Sequence, residues 1–386
     1  MMALLAGRLA WRQLVSSRAR LVSAIAGVMF ACVLVFMQLG FRAALFDSAS
    51  NLPRALQGEL FLVNPQTLVM FRPEPIARVR ASQALADAQV TQAVPIYLAQ
   101  TKFRNPETGK QRTIQLIGFD PEAGAVDFAG LGPLVPALKR IDTIGFDRRS
   151  RPEFGDIAGR VERDGPFEVE VGGRAVVIAG LVSLGTSFGA DGNAVMTETN
   201  FRRIVKERQA SKTDLVAIRL KPGADAKAVQ ARLAGLLPPD VMVLTGTELI
   251  AWERAYWENG TPIGFIFSFG SMMGLVVGMV IVYQILFSDI ATHLREYATL
   301  KAIGYSNHYL RLVVMGAALM LAVLGFVPGF LGSVGLYGVV AKATLLPLGM
   351  AADRAVAVFG MIFLMCAVAG LLAMRKLGEA DPADMF

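Results

Sequence analysis

Four long apolar segments constrain what this chain can fold into more than any other feature of its sequence. Residues 21–41, 263–287, 312–341 and 355–374 contain no charged side chain. At about 1.5 Å of rise per helical residue, even the shortest segment reaches roughly 30 Å, the thickness of the hydrocarbon core of a bilayer. A segment in lipid must satisfy its own backbone hydrogen bonds, which favours a helix. The sequence therefore predicts four transmembrane helices.

The overall composition also favours a membrane protein. Charged residues make up 18% of the 386 residues, whereas soluble domains average about a quarter. The first apolar segment is longer than the apolar region of a secretory signal, which has at most about 15 residues. We therefore expect this segment to remain in the protein as an uncleaved anchor.

Charge predicts the orientation of the chain in the membrane. Arg8, Arg12, Arg18 and Arg20 precede the first span, and cytoplasmic segments are enriched in such residues. An even number of spans returns the C-terminus to the same side, so both termini are predicted to be cytoplasmic. Residues 47–262 then lie outside, and their 26 Lys and Arg nearly balance their 25 Asp and Glu. The near-neutral domain has no concentrated basic surface, which argues against a nucleic-acid partner.

These expectations divide the chain into nine parts. They are a cytoplasmic amphipathic helix at 1–20, the first span at 21–46, an external domain with a stalk helix at 47–262, the second span at 263–287, a cytoplasmic coupling loop at 288–311, the third span at 312–341, a short external loop at 342–354, the fourth span at 355–374 and a cytoplasmic tail at 375–386.

The external domain is predicted to be α+β, which gives the fold class of four transmembrane helices plus a large α+β domain between the first two. Its order of elements predicts two lobes, one inserted in the other. Gly172 and Gly173 are expected to form a hairpin turn. Strands are predicted at 59–63, 67–71, 94–103, 112–119, 167–171, 174–182 and 214–220, and helices at 76–88, 198–208, 226–237 and 246–257, the last running into the second span.

Catalytic motifs in the sequence lack the residues they need. The segment 185–189 matches the GxSxG nucleophile motif, but the only two histidines, His293 and His308, are predicted to lie across the membrane from its serine. The one Gly-Lys pair, Gly109–Lys110, has arginine where a P-loop needs its first glycine and glutamine where it needs Ser or Thr. We therefore predict a non-enzymatic chain without a cofactor or metal of its own, whose energy comes from a partner.

The spans contain glycine at close-packing spacing and no midplane charge. Proton- and sodium-coupled transporters usually place ionisable residues there, so the sequence argues against such transport. Gly270, Gly274 and Gly278 recur every four residues and predict a face where helices approach closely, within one chain or between two copies.

The cytoplasmic loop at 288–311 offers a surface for a partner. Residues 291–303 are predicted to form an amphipathic helix that ends at Gly304, with Ser306 or Asn307 capping the next helix. Leu294, Tyr297 and Leu300 are expected to fill a groove on a cytoplasmic partner. The other side chains expected to take part in this coupling are Arg295, Glu296 and Lys301.

Motifs spread along the whole chain resemble those of FtsX/MacB-like permeases, and the DevC-type permeases of ABC exporters in particular. Arg295 is a departure, because some DevC-type chains have proline there. The matching segments are Ala10–Leu14, Gln38–Phe41, Leu45–Ser48, Phe146–Gly155, Ser183–Asn193, Tyr256–Trp257, Thr261–Phe267, Glu296–Tyr305 and Ala380–Asp384.

The resemblance implies a homodimeric permease of the bacterial inner membrane, surrounded by membrane lipids and bound to separate ATPase subunits that hold the ATP. It also implies a periplasmic adaptor, an outer-membrane channel reached through that adaptor, and export of a glycolipid or other hydrophobic substrate by mechanotransmission. We expect the glycine-rich loop 183–193 to border the adaptor. Its candidate residues are Ser183, Gly185, Ser187, Gly189 and Asp191.

Two other functions fit the same topology. An FtsX-like regulator would activate a periplasmic cell-wall hydrolase without transport, and a receptor would bind a ligand outside and signal inward. The absence of a predicted cytoplasmic output domain disfavours the receptor. An adaptor bound to the external domain would support the exporter, and a bound hydrolase would support the regulator.

Overall fold

The computed structural model describes residues 2–379 and the side chains of residues 5–374. The Ala380–Asp384 motif and the last residues of the predicted tail lie outside the described residues. The chain forms two compact units. The helical unit contains the segments up to Ala44, Ile263–Thr344 and the segment from Leu348, and the α/β unit contains Leu45–Pro262 and Leu345–Pro347.

The elements follow one another in this order. The helices are α1 (Met2–Ser16), α2 (Arg18–Ala49), α3 (Asn51–Ala55), α4 (Val79–Ala84), α5 (Leu131–Leu138), α6 (Ile157–Asp164), α7 (Glu198–Ile204), α8 (Ala226–Leu236), α9 (Gly246–Asn259), α10 (Pro262–Thr292), α11 (Leu294–Ala302), α12 (Asn307–Thr344) and α13 (Ala352–Glu379), with a 3₁₀ turn at Pro152–Phe154. The strands are β1 (Leu60–Val63), β2 (Ile76–Ala77), β3 (Val90–Arg104), β4 (Gln111–Phe119), β5 (Thr143–Asp147), β6 (Phe167–Val171), β7 (Arg174–Val182), β8 (Asn193–Thr197), β9 (Lys212–Thr213), β10 (Leu215–Leu220) and β11 (Met242–Thr245).

The predicted fold class is confirmed. Helices α2, α10, α12 and α13 are each long and apolar enough to cross a membrane, and the α/β unit lies between the first two of them in the chain. Each helix contains one of the predicted apolar segments and continues into the residues that flank it.

Glycines line the contact between α2 and α10. A Cβ atom placed on Gly278 would lie 2.5 Å from the Cβ of Ala31, and one placed on Gly270 would lie 2.6 Å from the side-chain amide of Gln38. Any residue larger than glycine would push these helices apart. The structure thus places the predicted packing glycines Gly270, Gly274 and Gly278 in contacts within one chain.

A second face of α2 packs against α12 in the same way. Gly325 meets Val28, and a Cβ placed on Gly329 would lie 2.8 Å from the Cβ of Cys32. The hydroxyl of Tyr337 donates a hydrogen bond to the Phe36 carbonyl. Helix α2 is therefore held on two sides by helices that approach its backbone closely.

A single nine-stranded sheet, ordered β11-β1-β10-β3-β4-β8-β5-β7-β6, forms the frame of the α/β unit. Strand β3 joins its two halves, because Ile96 pairs with Leu215 of β10 and Arg104 pairs with Gln111 of β4. The half that contains β4–β8 lies in the chain between β3 and β10 of the other half, and the division into two lobes stays a prediction. Each half of the sheet has its own cluster of buried apolar side chains, and the long strand β3 makes the sheet continuous.

Local structure in the α/β unit matches most of the sequence predictions. The hairpin β6–β7 forms with positive φ at both Gly172 and Gly173, 60° and 71°, as this tight turn requires. Residues 67–71 are not a strand, because Thr67 instead bonds to Glu74 and closes a local loop. Residues 76–88 are a helix only over α4, since Ile76 and Ala77 pair with β9.

The stalk helix α9 does not run into the second span. It ends at Asn259, and α10 begins at Pro262. Proline lacks the backbone N–H that a helix interior needs, so it starts a helix more readily than it continues one.

Glycine at the α2–α10 contact is expected to be essential for stability. Gly278→Val should destabilise the helical unit by about 1–3 kcal/mol, because the new side chain overpacks a filled contact. Thermal unfolding of the purified chain in detergent measures this. Gly335→Val in α12 is the control, since a Cβ there meets no atom within 4 Å. Equal melting temperatures for the two variants would show that the contact tolerates a side chain.

Candidate functional site

The turn after α11 forms as the sequence predicts. Gly304 has a φ of 103°, and its N–H donates to the Lys301 carbonyl at 3.1 Å. The N–H of Tyr305 donates to the Leu300 carbonyl at 3.0 Å, which completes a Schellman motif. Ser306 then caps α12, since its hydroxyl accepts the N–H of Tyr309 at 3.4 Å. The connection from α11 to α12 is therefore a short turn with fixed geometry.

Tyr297 fastens α11 to the N-terminal helix. Its side chain is 3% exposed, and its hydroxyl donates to the Gln13 side-chain oxygen at 3.0 Å. The amide of Gln13 donates to the Glu296 carboxylate at 3.5 Å. Burial raises the pKa of Tyr297, so the phenol remains a neutral donor. Our expectation that Tyr297 fills a groove on a partner is wrong, because this chain already buries it.

A second contact joins the first turn of α2 to the end of α10. Arg20, in the first turn of α2, donates to the Thr292 hydroxyl at 3.2 Å and lies 3.6 Å from the Asp289 carboxylate. The end of α10 and the start of α11 are thus linked to both α1 and α2.

The exposed surface of α11 differs from the predicted one. Arg295, Glu296 and Gly304 are exposed, whereas Leu294, Leu300 and Lys301 are half-buried. The sequence analysis missed Ile303 and Tyr305, which are 72% and 43% exposed. Ile303 and Tyr305 flank Gly304, the glycine that ends α11. This position is the sequence signal for their exposure, because residues there no longer lie on the packed face of the helix.

Asp147 holds the glycine-rich loop 183–193 in the α/β unit. Its buried carboxylate accepts the N–H groups of Leu184 at 3.1 Å and Gly185 at 2.8 Å, and the side-chain amide of Asn193 at 2.8 Å. Gly185 needs its φ of 101°, a conformation that side chains disfavour. Both ends of the loop are therefore fixed by one carboxylate.

The middle of the loop packs against α9 and the segment before β2. Phe188, 53% exposed, contacts the ring of Trp257 edge-on at 5.2 Å between centroids, and Phe71 stacks on Trp257 at 5.8 Å. Gly189 lies directly against Phe71. Asn51, two residues after α2 ends, donates to the Thr186 carbonyl at 3.3 Å. The loop thus lies beside the two segments that connect the α/β unit to spans one and two.

Few of the predicted adaptor-facing residues are open to a partner. Gly185 is buried, which corrects our expectation for it, and Asp191 is paired with Arg112 at 2.8 Å and Arg151 at 2.9 Å. Ser183, Ser187 and Gly189 are half-buried. Their local contacts give these residues a role in shaping the loop, and Phe188 is its exposed apolar side chain.

A second buried carboxylate, Glu253, connects α9 to the same region. It is 3% exposed and accepts the N–H of Met70 at 2.9 Å and the indole N–H of Trp257 at 3.3 Å. Desolvation by burial raises the pKa of Glu253 to about 7, and the two hydrogen bonds offset only part of that effect.

The serine of the GxSxG segment has a hydrogen-bond partner within the loop. Ser187 accepts the N–H of Ala190 at 3.1 Å, and both histidines of the chain belong to the helical unit. Among residues 2–379, no group of three or more His, Cys, Asp and Glu could hold a metal ion.

The C-terminal helices carry the decisive similarity. Residues 268–382 match the family model described as FtsX-like permease C-terminal. The C-terminal part of this chain is therefore similar to FtsX-like permeases. The match covers all of α11, α12 and α13 and most of α10, so it includes the turn between α11 and α12 described above.

Two solved structures are similar to this chain at low identity. The periplasmic region of MacB from Actinobacillus actinomycetemcomitans is 12% identical with a TM-score of 0.36, over 54% of this chain and 96% of that one. The extracellular domain of the noncanonic ABC-type transporter YknZ from Gram-positive bacteria is 14% identical with a TM-score of 0.33, over 48% of this chain and 98% of that one. A comparison with curated proteins found no match.

Glu253 should make the stability of the protein depend on pH. Its folded-state pKa of about 7 exceeds the ordinary 4.5, so the folded protein binds the proton more tightly than the unfolded chain. The free energy of unfolding should therefore fall as pH rises from about 4.5 to about 7, by roughly 3 kcal/mol in total. Glu253→Gln should flatten this decline, measured by denaturant unfolding between pH 5 and 8. The exposed Glu122→Gln is the control, and a Glu253→Gln slope equal to that of the control would contradict the assignment.

Proposed function

We propose that this chain is an FtsX-like permease, the membrane subunit of an ATP-driven exporter of the MacB/DevC type. The observation that carries the proposal is the loop between α10 and α12, in which α11 is fixed to α1 and the end of α10 is fixed to α2, while Ile303 and Tyr305 remain exposed. Helix α11 is fixed in place and has exposed apolar side chains at its end, which suits a site where an ABC ATPase binds and transmits force.

The source of energy is proposed to be a separate subunit. Gly109 and Lys110 lie in the turn between β3 and β4, and Gln111 begins a strand. A P-loop instead opens a helix, whose N-terminus helps to bind the phosphates. The pair therefore lacks both the sequence and the local structure for nucleotide binding, which supports ATP binding by a partner.

Mechanotransmission is the mechanism that these contacts support best. Closure of two ATPases would move α11 in each copy of a homodimer, and the hydrogen bonds to Gln13 and Arg20 would pass the movement to α1, α2 and α10. Helices α2 and α10 lead into the α/β unit at Asn51 and Asn259. The α/β units would then drive a lipid, glycolipid or other hydrophobic substrate through a periplasmic adaptor and an outer-membrane channel.

The proposed location is the bacterial inner membrane with both termini in the cytoplasm. Ser82 in α4 and Ser306 after α11 are exposed and test this orientation as a matched pair. Ser82→Cys should react with a membrane-impermeant maleimide in intact spheroplasts, and Ser306→Cys only after permeabilisation. The native Cys32 and Cys366 are buried, which keeps the background low. The opposite labelling pattern would invert the topology and remove α11 from the ATPase side.

Ile303 is expected to anchor the ATPase. Ile303→Asp should weaken ATPase binding at least about thirtyfold, because an apolar interface anchor is lost and a charge is desolvated. Co-purification of the ATPase in detergent and export in cells measure the effect.

Leu236→Asp in α8 is the matched control, since it places the same charge at a 54% exposed apolar side chain of the α/β unit. Normal ATPase recovery with normal export in Ile303→Asp would contradict the coupling site. If ATPase binding is lost but the partner captured by the α/β unit is a cell-wall hydrolase and no adaptor, the chain is an FtsX-like regulator instead.

A further inference from the structure

The N-terminal helix α1 has one face committed to the helical unit. Ala6, Ala10 and Leu14 are buried on this face in the core that α1 shares with α12. The close approach is visible at Gly316, where an added Cβ would lie 3.6 Å from the Cβ of Ala10. Only Ser17 separates α1 from α2, so α1 stays beside the first turn of a membrane-spanning helix.

The opposite face of α1 combines large apolar side chains with arginines. With 3.6 residues per turn, its exposed residues fall within an arc of about 120°. Leu5, Trp11 and Val15 are 47%, 46% and 40% exposed. The arginines on this face, Arg8 and Arg12, are also exposed.

Charge in this part of the chain has one sign. Residues 1–46 contain no Asp or Glu, and Arg18 and Arg20 follow α1 directly. The exposed face is therefore complementary to a negatively charged surface.

We infer that this face of α1 is a docking surface for the anionic phospholipids of the adjoining leaflet. Trp11, Leu5 and Val15 lie at the boundary between headgroups and acyl chains, and Arg8 and Arg12 bind the headgroup phosphates. The inference does not depend on what the permease exports.

The arrangement of the residues favours a lipid surface over a groove on a protein. Each exposed apolar side chain lies within four residues of an arginine, so a protein that covered the apolar groups would also desolvate both guanidinium groups. The bilayer interface solvates both kinds of group at once, and tryptophan is enriched at that depth. Each arginine near an anionic leaflet strengthens binding about fivefold.

Quenching of Trp11 by brominated lipid tests the inference. The full-length chain is placed in phosphatidylcholine nanodiscs that contain about 20% of a brominated lipid. This lipid is either brominated phosphatidylglycerol or brominated phosphatidylcholine. The Trp11 signal is the fluorescence of the unmodified chain minus that of Trp11→Phe. Quenching by the brominated anionic lipid should exceed quenching by the brominated zwitterionic lipid severalfold.

Removal of the two arginines should abolish this preference. In the Arg8→Gln/Arg12→Gln variant, both brominated lipids should quench Trp11 equally. The control variant Arg72→Gln/Arg140→Gln removes the same charge at exposed positions of the α/β unit and should keep the preference for the anionic lipid. Absence of Trp11 quenching would show that the face does not meet the membrane. A preference that persists in Arg8→Gln/Arg12→Gln would show that other groups attract the anionic lipid. Either result would overturn the inference.

Discussion

The close approach of α2 to both α10 and α12 is the contact on which the helical unit depends. Glycine permits it on each side, through Gly278 against Ala31 and Gly329 against Cys32. In lipid there is little hydrophobic force between helices, so close van der Waals packing of this kind holds a bundle together. Helix α2 spans 32 residues, about 48 Å, and so forms a continuous rod from the arginine contacts near its start to Ala49.

Buried polar groups have a different role in each of the two units. In the helical unit, the neutral phenol of Tyr297 and the amide of Gln13 fix α11 without placing a charge in the core. In the α/β unit, Asp147 fixes the loop 183–193, and Glu253 links α9 to Met70. An unpaired buried carboxylate is costly, so each of these networks keeps one arrangement of the surrounding backbone. These two carboxylates thus position backbone segments of the α/β unit.

Features set by local sequence were predictable, and those set by distant contacts were not. The four spans follow from length and hydropathy, and Gly304 follows from the backbone conformation that ends a helix. The burial of Tyr297 depends on Gln13, which is 284 residues away in the chain. The contact of Phe188 with Trp257 likewise joins distant segments, and residues 67–71 form a short apolar run typical of a strand yet pair with no strand. Sequence periodicity carries no information about such partners.

Nucleotide-driven movement of the α/β unit is the most direct test of mechanical coupling. A spin label at Ala255→Cys, exposed on α9, reports the distance between two copies in nanodiscs with the ATPase bound, in a chain whose native cysteines are replaced by alanine. Double electron–electron resonance should show one distance distribution with ADP and a different one with ATP plus vanadate. Tyr297→Phe should reduce this difference, because it removes the hydrogen bond to Gln13. Identical distributions in the two nucleotide states, with an ATPase that still hydrolyses ATP, would contradict the account.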